Sequence, residues 1–240
     1  MRLLDTYTGA FHDFISPEVV TYAILSHCWA KNPPELPELT YQDVLEVQAQ
    51  VRAERAQDPG LPPDEVFTRL SPKIRECCQR AREDKISLAW IDSCCIDKTS
   101  SAELTETINS MYTWYAEAAV CYAFLADVGV EYDLLHRCAS DSTFRKSNWF
   151  KRCWTLQELI APKTVLFFST DWSMIGGKHA LAAVIEEITG IDTSVLCHER
   201  TLQDVSVARR MSWASRRIAT RGEDEAYSLM GIFSINMPVI

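Results

Sequence analysis

Four short apolar segments, separated by stretches with helical character, constrain the fold of this chain most strongly. They are rich in β-branched and aromatic side chains and cover residues 22–26, 86–91, 120–125 and 164–168. None of them alternates cleanly between apolar and polar residues, so both faces of each predicted strand should be covered. Strands that alternate with helices along a chain are typical of a parallel sheet with helices on both faces. The sequence therefore predicts an α/β fold.

The predicted helix after the second strand is the best marked. Ser100 followed by Glu103 matches a capping box, and apolar side chains then recur at helical spacing, at Leu104, Ile108, Met111 and Tyr115. The apolar side of this helix should face the sheet.

Residues 31–63 interrupt the alternation with prolines around a polar segment, 41–57, that has helical character. We interpret this part as an insertion of low internal stability. A helix over 64–84, broken or started again at Pro72, should lead back to the second strand. After the fourth strand only helices are predicted, over 178–189, 202–215 and 223–233.

Composition excludes several classes of protein. The formal net charge of −9 argues against a general nucleic-acid binder, because duplex binding depends on Lys and Arg that neutralise phosphates. The nine cysteines form no CxxC pair, which favours reduced thiols in the cytosol. The chain contains neither a secretory apolar stretch nor an apolar run of membrane-spanning length. We therefore expect a soluble, cytoplasmic protein with no membrane segment.

Polar side chains follow the predicted strands where each strand ends, and ligands of open parallel sheets bind at that edge. Ser26, His27, Cys28 and Trp29 follow the first strand, the segment 92–98 follows the second, and Asp127 follows the third. The alternative is structural: Asp92 and Asp97 as turn and cap residues, and His27 as a histidine satisfied at the rim. Both interpretations stay open.

Two other chemistries deserve comparison. A cysteine nucleophile at Cys28, Cys94 or Cys95 would need a base such as His27, and nothing in the spacing singles out one thiol. A zinc site is disfavoured because adjacent cysteines rarely present both sulfurs to one tetrahedral ion, so we expect no metal. Neither a Walker loop nor a GxGxxG motif is present, so side chains or a helix N-terminus would have to hold any phosphate.

A single carboxylate, Glu158, stands within an aromatic and aliphatic helical segment. Trp154 lies four residues earlier and should share its face of the helix, while Leu159 and Ile160 turn to the opposite side. A carboxylate beside an indole in apolar surroundings is poorly hydrated. Such a group is either prepared for acid-base chemistry or held in a structural salt bridge.

The C-terminal helices carry a cluster of arginines at Arg209, Arg210, Arg216, Arg217 and Arg221. A solvated, salt-bridged helical face is one interpretation of this cluster. In the other, Arg221, Glu223 and Asp224 pack against the rim of the sheet and orient its loops.

Four motifs together resemble the fungal heterokaryon-incompatibility (HET) domain: YAILSHCW at 22–29, WIDSCCIDK at 90–98, WFKRCWTLQELIAP at 149–162 and RGEDEAYSLMGIF at 221–233. The resemblance covers nearly the whole chain and implies one HET domain over 1–240. Its core would span about 18–170, with the insertion at about 31–63 and a helical extension at about 175–235. The family implies the N-terminal effector of a longer protein that induces cell death after recognition of non-self.

HET domains are distantly similar to Toll/interleukin-receptor (TIR) domains, which implies a flavodoxin-like parallel sheet flanked by helices. Some TIR domains hydrolyse NAD with a glutamate in a Ser-x-Trp-Cys-x-x-Glu-Leu motif, and Trp154, Glu158 and Leu159 stand in that register. Arg152 replaces the serine of that motif and Thr155 its cysteine. Ala30 stands where relatives usually have glycine.

The resemblance implies a catalytic role for Glu158. By their position at the rim of the sheet, the expected substrate-binding residues are Ser26, His27, Trp29, Asp92, Cys95, Asp97, Lys98, Arg152 and Trp154, with Arg221, Glu223 and Asp224 in support. NAD or NADP would be the substrate of such a glycohydrolase, and no bound cofactor is implied. The alternative is a non-enzymatic, TIR-like adaptor in which Glu158 forms a buried ion pair, with Arg152 or Lys98 as partner. Either role involves self-association, with a nucleotide-binding and repeat receptor region in the same chain as a further partner.

Overall fold

The four predicted strands are confirmed in the computed structural model, which describes residues 1–29, 38–129, 139 and 141–237. The strands of this part of the chain are β1 (Arg2–Asp5), β2 (Phe11–Asp13), β3 (Ala23–His27), β4 (Leu88–Trp90), β5 (Val120–Phe124), β6 (Val165–Phe168) and β7 (Met174–Gly177). Every residue of β3 and of β5 is buried. This burial explains why their sequences show no polar face.

The chain divides into two units. The first consists of Met1–Leu25 and Trp29–Thr107, and the second of Ser26–Cys28 and Ile108–Ile240. Strand β3 contributes to both, because its last two residues, Ser26 and His27, belong to the second unit.

In the first unit the strands stand in the order β2-β1-β4-β3. Strands β3 and β4 pair in parallel, with Ala23 opposite Ala89, whereas β1 pairs antiparallel with both β2 and β4. The expectation of an all-parallel sheet is therefore wrong at this edge. Strands β1 and β2 escaped prediction because each is only three or four residues long, with too few apolar side chains to form a recognisable run.

The helices of the first unit agree with the sequence. Helix α1 (Tyr41–Gln57) forms in the predicted polar segment, and Thr40 and Asp43 close a capping box at its start. Helices α2 (Glu65–Arg69) and α3 (Pro72–Glu83) confirm the break before Pro72. The earlier part of the insertion, residues 30–37, lies outside the described residues.

After β4 the chain forms the short helix α4 (Asp92–Cys95) and then helix α5 (Ser101–Glu117). The capping box predicted for α5 is half formed. The Ser100 hydroxyl accepts from the backbone N–H of Glu103 at 3.3 Å, but the Glu103 carboxylate accepts from the Asp97 N–H and from Arg2 instead of returning to Ser100. The carboxylate pairs with Arg2 because two charge-assisted hydrogen bonds to a guanidinium are stronger than one hydrogen bond from a neutral backbone N–H.

In the second unit the carboxyl end of β3 is followed across the sheet by β5, β6 and β7. Strands β5 and β6 pair in parallel, with Cys121 opposite Val165. Strand β7 pairs antiparallel with β6, with a register shift at Phe167 and Phe168. The prediction that only helices follow the fourth strand is therefore wrong. Strand β7 was missed because two of its four residues are glycines, which weaken a strand pattern.

The described helices of this unit, after α5, are α6 (Thr143–Lys146), α7 (Thr155–Ile160), α8 (Ala182–Thr189), α9 (Thr193–Leu196), α10 (Val207–Ala214), α11 (Asp224–Tyr227) and α12 (Met230–Phe233). Helices α8 and α10 confirm the first two predicted C-terminal helices with narrower bounds, whereas the third is divided into α11 and α12 by a turn at Ser228 and Leu229. None of the helices in the described ranges is long and apolar enough to cross a membrane.

An aromatic cluster forms the core behind α7. Phe144, Trp149, Phe150 and Phe167 pack mostly edge to face, with ring centroids 5.1–5.5 Å apart in the four perpendicular pairs. Trp149 is 1% exposed. Edge-to-face pairs add to the stabilisation that burial already gives. The cluster therefore fixes Trp149 firmly relative to β6.

Gly231 in α12 packs directly against Tyr112 in α5. A Cβ added at Gly231 would lie 2.1 Å from the Tyr112 Cβ. We expect Gly231→Ala to destabilise the protein by about 1–3 kcal/mol, because neither backbone can move aside freely. Urea unfolding measures the effect. Gly222→Ala is the control, since a Cβ at Gly222 meets no atom within 4 Å, and equal stability of the two variants would contradict this packing.

Candidate active site

Helix α7 is a short helix buried on every side. All six of its residues, including Glu158, are buried, and Trp154 precedes the first turn as a half-buried residue. Because all six residues are buried, α7 has no solvent side. The predicted position of Glu158, on a helix between the third and fourth predicted strands, is confirmed.

A chain of hydrogen bonds connects Trp149, Ser26 and Glu158. The Trp149 indole N–H donates to the Ser26 hydroxyl at 2.8 Å, and that hydroxyl donates to Glu158 Oε2 at 2.5 Å. Ser26 is 0% exposed and Glu158 is 7% exposed. Because Ser26 is near the carboxyl end of β3, Glu158 lies at the edge of the sheet where ligands of parallel sheets bind.

Asp127, which follows β5, stabilises the turn that precedes Trp149. Its carboxylate accepts from the Ser147 hydroxyl at 2.6 Å and from the Asn148 N–H at 2.7 Å, and Ser147 in turn accepts from the Trp149 N–H. Asp127 thereby anchors the turn that carries Trp149. The structure gives this rim carboxylate a supporting position.

Arg217 supplies the positive charge whose field acts on Glu158. Its guanidinium donates to the Thr155 hydroxyl at 2.8 Å and to the Arg152 carbonyl at 2.9 Å. Burial lowers the pKa of Arg217 to about 10, and the negative charge of Glu158 acts in the opposite direction. The Thr155 hydroxyl therefore holds the arginine in place.

Backbone pairing brings Arg217 to α7. Ile218 forms a parallel bridge with Arg152, in which the Cys153 N–H donates to the Ile218 carbonyl at 3.1 Å. The sequence placed Arg217 in a solvated arginine cluster, and no periodic pattern distinguishes it from Arg216 beside it. Only the pairing of two distant segments shows its position.

The other predicted site residues of this unit occupy varied positions. The Arg152 guanidinium donates to the Thr220 hydroxyl, and His27 is buried at the end of β3. Arg221 and Glu223 are exposed, and Asp224 is half-buried. Arg209 pairs with Asp192 at 3.1 Å on the surface, as the solvated interpretation of the arginine cluster predicts.

In the first unit, Trp29, Asp92 and Lys98 form a second polar cluster. The Trp29 indole N–H donates to Asp92 at 2.8 Å, and the Lys98 ammonium lies 4.1 Å from the centroid of the Trp29 ring. Lys98 also donates to the carbonyls of Asp92 and Ser93, and burial lowers its pKa. Trp29 is 40% exposed, so part of its ring is open to a ligand.

Asp97 and Cys95 have structural surroundings. The Asp97 carboxylate accepts from the Thr99 side chain and backbone and from Gln42, contacts that lower its pKa. This is the turn-and-cap role that the structural alternative predicts. Cys95 is 2% exposed, and its sulfur lies 3.4 Å from the Ile91 nitrogen.

The surroundings of Cys94 disfavour a role as a cysteine nucleophile. A hydrogen bond to Cys95 and burial raise the pKa of Cys94 well above its ordinary value, which disfavours the nucleophilic thiolate. Among the described residues, no three side chains of His, Cys, Asp or Glu gather into a group that could hold a metal ion.

Lys178, which no sequence pattern singled out, is buried directly after β7. Its ammonium donates to the Leu159 carbonyl at 3.2 Å and to the Pro162 carbonyl, and lies 3.1 Å from His198 Nε2. Burial lowers the pKa of Lys178 to about 8. It therefore keeps its charge at neutral pH although it is only 1% exposed.

These features define an α/β protein with a buried carboxylate at the carboxyl edge of its sheet, held by a serine and a tryptophan. The chain belongs to the heterokaryon incompatibility protein (HET) family, whose profile matches residues 22–141. The predicted membership of the HET family is thus confirmed, while the likeness to TIR domains stays a prediction.

One curated relative extends this comparison. The vegetative incompatibility protein HET-E-1 of Podospora anserina is 40% identical over 234 residues, which cover 95% of this chain. The chain spans 15% of the length of that relative. No solved structure matches the chain.

Replacing Ser26 by alanine removes the hydroxyl that both Trp149 and Glu158 bind. We expect Ser26→Ala to lower the free energy of unfolding by about 1–3 kcal/mol, because two buried polar groups lose a partner. Urea unfolding gives the difference, with the exposed Ser212→Ala as control. Equal stability of the two variants would contradict the hydrogen-bond chain.

The lowered pKa of Lys178 predicts a pH dependence of stability. Between the folded pKa of about 8 and the unfolded value of 10.5, the unfolded state binds more protons, so stability rises with pH. Relative to Lys178→Met, the wild-type protein should gain roughly 3 kcal/mol across this window. Urea unfolding of both proteins at several pH values measures this gain, and a pH-independent difference between them would refute it.

Proposed function

We propose that this chain is a cell-death effector of fungal vegetative incompatibility that hydrolyses NAD-type dinucleotides at the bond between nicotinamide and ribose. The observation that carries the chemistry is the buried Glu158 carboxylate, which accepts from Ser26 at 2.5 Å. The biological role is proposed from the printed name of the relative, which is 40% identical to this chain over 234 residues.

The order of the strands supports a TIR-like core. In the second unit the carboxyl end of β3 is followed by β5 and β6, so the first, third and fourth predicted strands stand in the order 1-3-4. The flavodoxin-like arrangement contains the same run, and its ligands bind at the carboxyl ends of the strands. Ser26 and Glu158 meet at that edge. The strand order and the position at this edge therefore both support Glu158 as the catalytic residue.

In the proposed reaction, the bond between the anomeric carbon of ribose and the pyridinium nitrogen breaks. Its electron pair stays with nicotinamide, which leaves as a neutral molecule, so no strong acid is needed. A water oxygen then bonds to the anomeric carbon, and a proton of that water passes to the carboxylate or to solvent. Glu158 binds the ribose hydroxyls and stabilises the positive charge that develops on the sugar.

The hydrogen bonds of Glu158 suit this role. Ser26 occupies Oε2 and so fixes the orientation of the carboxylate. Arg217 attracts the negative charge from the side of Thr155. A carboxylate that is held before the substrate arrives needs little reorganisation during the reaction, which is the main source of electrostatic catalysis.

Further substrate contacts are proposed for the remaining site residues. The half-buried Trp154 is suited to stacking on a base or nicotinamide ring. Arg152 and His27 are proposed to meet the pyrophosphate. For Arg152 this requires exchange of the contact with Thr220.

The longer relative also supports the prediction of a multidomain receptor. Because this chain spans 15% of that protein, we propose that the HET domain acts as the effector part of a larger chain and is activated by self-association. A purely adaptor-like domain is the competing outcome of the experiment below.

The test measures nicotinamide release from NAD and from NADP by concentrated protein. We expect the wild-type protein to release nicotinamide and Glu158→Gln to release it at least about 100-fold more slowly, because the charge is lost while the shape is kept. Unfolding midpoints establish that the variant is folded.

Glu225→Gln is the matched control, because it makes the same chemical change at an exposed position of the same unit. Its turnover should equal that of the wild-type protein. Turnover unchanged in Glu158→Gln would remove Glu158 from the mechanism. No release by wild-type protein that is visibly oligomeric would favour the adaptor.

A further inference from the structure

The carboxyl end of α7 is held by a buried cation. Lys178 Nζ donates to the carbonyl of Leu159, the residue after Glu158, at 3.2 Å, and to the carbonyl of Pro162, two residues beyond Ile160. Its own backbone N–H donates to Val165 in β6 at 2.8 Å. Lys178 thus connects the end of α7 to the sheet.

The last carbonyls of a helix have no partner within the helix and carry a partial negative charge. In a helix of six residues this end lies close to every residue, and Glu158 is within its last turn. An ammonium group at these carbonyls satisfies them and opposes their charge. It therefore limits the movements that would shift the Glu158 side chain.

His198 completes the arrangement. Its Nε2 lies 2.9 Å from the Pro162 carbonyl and 3.1 Å from Lys178 Nζ. This one nitrogen either accepts a hydrogen bond from the ammonium or donates one to the Pro162 carbonyl. In either case the imidazole lies against the contact between Lys178 and Pro162.

Burying this ammonium costs stability, as its lowered pKa indicates. An apolar side chain in the same place would avoid that cost. Two positively charged groups frame α7, with Arg217 at Thr155 near its start and Lys178 at its end, while the Glu158 carboxylate lies between them.

We propose that Lys178 is a positioning residue for Glu158, acting through the backbone of α7. This inference rests on the proposed glycohydrolase function, since it concerns the geometry of the same carboxylate. Lys178 has no contact with the substrate in this account. It sets the orientation of Glu158, and its loss should affect the chemical step more than substrate binding.

The experiment compares Lys178→Met with the wild-type protein by amide hydrogen exchange and by kcat and KM for nicotinamide release. We expect faster exchange confined to residues 155–163 and a kcat lowered by about 10- to 100-fold, as a small misplacement of a catalytic group does. KM should change less than about twofold, because uniform binding is retained. Lys163→Met, an exposed lysine of the same loop, should change neither quantity.

Unchanged exchange at 155–163, faster exchange throughout the chain, or an unchanged kcat would each overturn this inference alone, provided that the wild-type protein turns over NAD. Absence of turnover by the wild-type protein would overturn the proposed function and this inference with it. If Lys178→Met fails to fold, the decision rests on His198→Asn, which suits the positive φ of 58° at that residue. That variant should show the same local pattern with a smaller loss of kcat, and wild-type behaviour would overturn the inference.

Discussion

The Ser26 hydroxyl, placed between the Trp149 indole and the Glu158 carboxylate, is the contact on which the rest of this site depends. It joins the end of β3, the turn before α7 and α7 itself through two hydrogen bonds. All three side chains are buried, so neither bond competes with water, and losing either leaves a costly polar group inside the protein. The aromatic cluster around Phe167 then fixes Trp149, and through it the carboxylate.

Much of the fold follows from local pattern. The strands β3 to β6 lie within apolar runs because both of their faces are covered, and α1 forms with the bounds of its polar segment because Thr40 and Asp43 cap it. The edges of the sheet were not predictable in this way. Strands β1, β2 and β7 are short and take their stability from a neighbouring strand, which is a property of pairing and leaves little trace in the sequence.

In the candidate site, too, local sequence pattern predicts some residues, whereas others depend on contacts between distant segments. Glu158 and Ser26 could be identified because each stands in a motif, and the end of a strand predicts the edge of a sheet. Arg217 and Lys178 could not, since their importance comes from carbonyls and a hydroxyl that lie 16 or more residues away in sequence. Asp97 was predicted to bind substrate from its position alone. In the structure its carboxylate accepts hydrogen bonds from Thr99 within a turn.

The most direct test of the central claim, that Ser26 and Glu158 act as one unit, is a double-mutant cycle on nicotinamide release. It uses Ser26→Ala, Glu158→Gln and the double variant, all checked for folding. If the serine works only by holding the carboxylate, the double variant should be as slow as Glu158→Gln alone, because residues that act as a unit are not additive. Losses that multiply in the double variant would contradict the account.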